Sequence, residues 1–161
     1  YYTKAIAARP NNAYELLSRA VVRLARNENE KADGDIAAAA QKVDNNHPYV
    51  EYVKGLSALL KGANVDARTA FETALARYDQ HGPSMLYLAV VLLRQDKLEQ
   101  AEQYANKAAV AMPFLREAKL LLAVVQARKQ DYKAGMATLQ SVTGADTLGK
   151  MAAALNSALE S

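Results

Sequence analysis

The chain has 161 residues, of which 51% are apolar and 23% charged, with a formal net charge of +3. So high an apolar fraction excludes a disordered chain, no apolar run approaches membrane-spanning length, and basic residues scattered rather than massed exclude a nucleic-acid-binding stripe. Without cysteine, disulfide scaffolds, thiolate metal sites and cysteine nucleophiles drop out.

Four Pro, seven Gly and abundant Ala favour helix throughout. The chain opens on Tyr1 with neither an initiator Met nor a signal-peptide pattern, which reads as a piece of something longer. "YYTKAIAARPNN", residues 1–12, reads as the second helix of a preceding unit. From there the chain repeats, with units at about 13–47, 48–81, 82–115 and 116–149 and a closing helix at about 146–160. The period is 34. Ala67 and Ala74 map onto Ala101 and Ala108 one period forward, and onto Ala32 and Ala39 at 35 residues back, so the loop near His47 carries one extra residue. Gly135 continues the series.

Each unit reads as two helices. The first of each pair carries an apolar run ("YELLSRAVVRLA", "YVEYVKGLSALL", "MLYLAVVLL", "AKLLLAVVQA"), and a helix apolar on nearly every side must be covered on nearly every side. The second is amphipathic. In "KLEQAEQYANKAAVA", Leu98, Ala101, Tyr104, Ala105 and Ala108 recur three and four apart, with Glu99, Glu102, Gln103 and Lys107 outside them. Gly62 ends a first helix, Asp96 with Glu99 reads as a reciprocal cap, and Asn64 and Asp131 are cap candidates for the equivalent helices. Small residues at 67, 74, 101 and 108 allow helix axes to approach to roughly 8–10 Å. Phe71 fills the gap between pairs.

Two features resemble chemistry. "GADTLGKM", 144–151, is one residue away from a phosphate-binding loop, but Met151 stands where a hydroxyl would hold Mg²⁺, and the repeat puts helices rather than a strand before it. It reads as a turn. His47 and His81 are 34 residues apart at equivalent loop places. Neighbouring repeats hold equivalent atoms about 10 Å apart, too far for a shared ion, so both read as solvated loop histidines. With no nucleophile elbow, the sequence shows no seat for catalysis, cofactor or metal.

The 34-residue period and its Ala, aromatic and Leu places resemble the tetratricopeptide repeat (TPR) over nearly all of the chain. Residues 82–115 match best, through Met85, Leu88, Ala89, Leu92, Ala101, Ala108 and Pro113, and depart only where Ala105 takes an aromatic place beside Tyr104. Tyr2, Ala5 and Pro10 fit the preceding half-unit. Arg19, Lys54 and Lys119 stand at places the pattern would bury, unless the register slips by one residue.

The resemblance implies an all-α, right-handed α-α superhelix of antiparallel helix pairs. Its first helices would line a concave groove for a peptide or partner helix. Carried over place by place, the groove residues are Tyr49, Tyr52 and Leu56, then Leu86, Val90, Leu93 and Arg94, then Leu120, Val124 and Arg128. Leu and Val at such places read equally well as core covered by further repeats. The Lys and Arg residues do not converge as the carboxylate clamp of chaperone-binding relatives requires. More narrowly, "NNHPYVEYVKGLSALLKG" at 45–62 followed by "AFETAL" resembles repeat lipoproteins of bacterial PEP-CTERM/exosortase exopolysaccharide systems. That implies a periplasmic or outer-membrane-anchored location with the lipid-bearing Cys upstream of Tyr1, a cytoplasmic one being the alternative. The expectation is a non-catalytic scaffold binding a protein or peptide. Its rivals are an accessory domain of a larger enzyme and a spacer that self-associates through exposed terminal half-repeats.

Overall fold

The computed structural model describes residues 12–43 and 47–143. The expected half-unit at 1–12 lies outside them except for Asn12, and the phosphate-loop look-alike and closing helix lie outside them altogether. Every regular element among the described residues is a helix: α1 (Ala13–Ala25), α2 (Asn29–Ala40), α3 (Pro48–Leu60), α4 (Asn64–Arg77), α5 (Gly82–Arg94), α6 (Leu98–Ala111), α7 (Arg116–Arg128) and α8 (Tyr132–Thr143).

Each first helix stops on one backbone device. Asn27, Gly62, Asp96 and Gln130 all have positive φ, at 58°, 76°, 57° and 65°. Around each, two bonds close the helix end: the N–H of residue 27 reaches the Leu24 carbonyl at 3.0 Å and that of 28 reaches Arg23 at 2.9 Å, and 62/63, 96/97 and 130/131 repeat the pattern. Such a left-handed cap satisfies carbonyls that the helix leaves orphaned. It also turns the chain into the second helix within a few residues.

The second helices start differently from the sequence expectation. Asp96 is the left-handed residue of the turn and ion-pairs with Arg128, while α6 opens after Lys97 without a side-chain cap. Asn64 already lies inside α4, and its Oδ1 is buried without a partner. Asp131 does cap α8, accepting from the Ala134 N–H at 3.0 Å.

Packing follows the small residues. Ala20, Ala32, Ala39, Ala67, Ala74, Ala89, Ala101, Ala105 and Ala108 are fully buried, so the axes of each pair approach closely. Gly55 has a specific reason: a Cβ there would lie 2.5 Å from the ring of Phe71, itself fully buried. The register does not slip, because Ala20, Gly55, Ala89 and Ala123 are buried at equivalent places. Arg19, Lys54 and Lys119 are each only half-buried. Arg19 and Arg23 both reach the buried carboxylate of Asp35 on α2, and Lys54 pairs with Glu51 at 2.7 Å. Hydrogen bonding to Asp35 raises the Arg19 pKa further, so that guanidinium stays charged.

Within each pair the two helices pack along their length, and each second helix then packs on the first helix of the next pair. First helices also touch first helices across pairs, α1 to α3, α3 to α5 and α5 to α7, whereas among the described residues no second helix touches another. The first helices are therefore the inner layer of a curved stack and the second helices the outer one.

Candidate functional site

The inner layer carries a row of rings. Tyr14, at the second position of α1, stacks on Tyr49 of α3 with centroids 6.1 Å apart, and Tyr49 stacks on Tyr52 one turn on at 5.9 Å. Tyr52 leans on Tyr87 of α5 at 6.1 Å and on the buried Phe71 at 6.3 Å. Spacing on the helices sets this arrangement: i and i+3 share a helical face, and residues one repeat apart sit on neighbouring helices. Burial first, then the nearby Tyr87 and Tyr49, push the Tyr52 hydroxyl well above the ordinary tyrosine range. It stays a neutral hydroxyl.

Both histidines, half-buried, join this row. His47 is the N-cap of α3: its Nδ1 accepts from the Tyr49 N–H at 3.3 Å, and its Nε2 lies 3.2 Å from the Tyr14 hydroxyl. His81 caps α5 in the same way, its Nδ1 accepting from the Ser84 N–H at 3.3 Å. The expectation of solvated loop histidines is corrected by these caps. Each has Pro in the next one or two positions, where a missing N–H costs nothing.

The ten sequence-derived groove residues fall into four groups. Tyr49, Tyr52, Leu56, Val90 and Leu93 are half-buried on the first helices, with one side against the core. Leu120 and Val124 of α7 are exposed, at 39% and 51%. Arg94 and Arg128 are exposed but occupied: Arg94 donates to the Leu59 carbonyl at 3.4 Å, and Arg128 pairs with Asp96 at 3.1 Å. Leu86 differs, being 9% exposed and packed with Met85, Ala108, Ala109 and Ala118, so it belongs to the core. Tyr14 and Tyr87 were missed. The signal was available, because Tyr14 to Tyr49 and Tyr52 to Tyr87 are each 35 residues apart.

On the outer layer, Asp33 of α2 accepts from Ser57 at 2.7 Å and pairs with Lys61. Burial raises the Asp33 pKa, but the Lys61 and Ser57 hydrogen bonds and the Lys61 charge outweigh it and leave it lowered. Among the described residues no three His, Cys, Asp or Glu side chains gather to hold a metal, and no helix is long and apolar enough to cross a membrane.

Stacked antiparallel pairs with first helices inside and a left-handed turn in every unit define the all-α, right-handed superhelical repeat fold of TPR proteins. Solved structures of that type superpose on the chain. YrrB, described as a TPR protein with an unusual peptide-binding site, matches at 23% identity over 91% of this chain and 75% of its own, with a TM-score of 0.71. TTC0263, a TPR protein of Thermus thermophilus, matches at 15% identity over 96% and 87%, with a TM-score of 0.76. MamA of Desulfovibrio magneticus matches at 18% identity over 88% and 80%, with a TM-score of 0.69. At such identities the likeness is one of fold. No family model and no curated protein matches the sequence.

Proposed function

We propose that the chain is a non-catalytic protein-binding scaffold that takes a peptide or partner helix along its inner layer of first helices. The observation that carries this reading is a set of partly exposed apolar side chains on the first helices. It is aromatic at one end, with Tyr14, Tyr49 and Tyr52, and aliphatic at the other, with Val90, Leu93, Leu120 and Val124. Rigid rings with polar tips contribute contact area at low entropic cost, and contiguous exposed apolar surface marks interaction sites. The peptide-binding site named for YrrB is in keeping with it. Arg94 and Arg128 are exposed on the same helices, and each also has an own-chain partner.

A displayed peptide library selected on the wild-type chain tests this. Tyr49→Ala and Val124→Glu alter accessible members of that set, and each should weaken selected peptides at least tenfold without changing the melting temperature by more than a few degrees. Unchanged affinity in both variants overturns the reading.

The cellular setting we infer is a bacterial envelope assembly. Its support is the resemblance of residues 45–62 and "AFETAL" to exopolysaccharide-system lipoproteins. Cell fractionation should place the full-length protein in the envelope, and recovery wholly in the cytosol overturns that setting.

A further inference from the structure

We propose that the joint between α4 and α5 is acid-sensitive, closed while the His81 imidazole is neutral and loosened when it takes a proton. The geometry requires the neutral ring. His81 Nδ1 accepts from the Ser84 N–H at 3.3 Å and lies 2.7 Å from the Ser84 hydroxyl oxygen. A protonated Nδ1 would face that N–H donor to donor, leaving the first turn of α5 without its cap. Ser84 is fully buried, so no water readily replaces the lost partner.

Apart from the Ser84 hydroxyl oxygen, which could turn to accept from a protonated Nδ1, no carboxylate pairs with the ring to hold an imidazolium. His81 is packed edge-on against Tyr52 of α3 at 5.1 Å and lies tilted against Tyr78 of the α4–α5 connection at 6.0 Å. Those tyrosines and Ser84 are the groups that face it. Asp79, the nearest acid along the chain, is exposed and makes no ion pair with it. Gly82, the next residue, is buried against Met112, where a Cβ would lie 2.7 Å from the side chain, so the joint has little room to rearrange.

Burial lowers the His81 pKa from its ordinary value. Because the unfolded chain then binds the proton more tightly than the folded one, stability is full above the unfolded value, about 6.5, and is lost as pH falls through the folded value. Each unit of lowering corresponds to a tenfold change in the folded-to-unfolded ratio. His81 touches Tyr52, so loosening the joint disturbs the aromatic row. That consequence rests on the binding reading, whereas the joint itself does not.

Melts without any peptide test the joint alone. Between pH 8 and pH 5.5 the wild-type melting temperature should fall, and His81→Asn, which keeps a capping oxygen and cannot titrate, should remove most of that fall. His47→Asn should leave the His81 contribution in place. In wild-type protein the His81 ring proton followed by NMR should titrate below pH 6.5, with the Ser84 amide shifting in step. Equal pH dependence in wild type and His81→Asn, or a His81 midpoint at or above 6.5, overturns the proposal. The NMR titration keeps it decidable should His81→Asn fail to fold.

Discussion

In the first helix pair, the places that face the second helix hold Arg19 and Arg23, with Asp35 opposite. Two units on, the equivalent places hold Leu88 and Leu92, with Tyr104 opposite. The first seam closes on a buried carboxylate shared by two guanidinium groups, and the third closes on apolar contact. The other two pairs lie between these extremes: the same places hold Lys54, Ala58 and Ala70 in the second pair, and Leu122, Gln126 and Thr138 in the fourth, where Thr138 donates to Gln126 at 2.8 Å. One backbone geometry thus accepts an ion pair, a hydrogen bond or a hydrocarbon seam. What stays constant is the small residue at the helix crossing and the left-handed residue at the turn. The repeat is held by backbone and volume, and the side-chain chemistry at the seam is free to differ.

If so, removing volume should hurt more than removing charge. Phe71→Ala carries the largest expected effect, a loss of about 4 kcal/mol, because a fully buried ring leaves a cavity that cannot collapse. Gly55 faces that ring and has no side chain to move in. Each unit touches only its neighbours, so the damage should stay local, with hydrogen exchange speeding across α3 and α4 well before α7. A uniform rise over all helices, or a loss near 1 kcal/mol in urea melts, would count against the volume argument.

The period, the helix pairs and the small crossing residues were legible in the sequence because each depends on local spacing: three-and-four recurrence within a helix and 34 residues between units. The three non-glycine turns were not, since Gly is the usual signal for a positive φ and Asn27, Asp96 and Gln130 take its place. Asp96 shows the cost, as an acid ahead of a helix reads as a cap when it is in fact the turn. Arg19 looked misplaced because its partner Asp35 lies on another helix, sixteen residues away, and no pattern within α1 points to it. The histidine caps were hidden for a related reason: a cap is set by loop conformation, and His is not among the usual capping residues. For the candidate groove, family places could not separate Leu86, which is packed in the core, from Leu120 and Val124, which stay open.

The first seam gives the finer test, since an ion pair's worth depends on what replaces it. Asp35→Ala leaves two guanidinium groups facing a site without a carboxylate and should cost about 3 kcal/mol, the low end for broken buried pairs, because both arginines keep some contact with water. Removing all three charges is a different experiment. Arg19→Leu, Arg23→Leu and Asp35→Leu together would give the first pair an apolar seam in place of its charged one. Paired buried charges exchanged for packed hydrocarbon are often neutral within about 1 kcal/mol or better, so the triple variant should melt within a few degrees of wild type while Asp35→Ala melts well below it. A triple variant as damaged as the single one would mean that the first seam depends on its charges, and that the equivalence of the first and third pairs ends at the backbone.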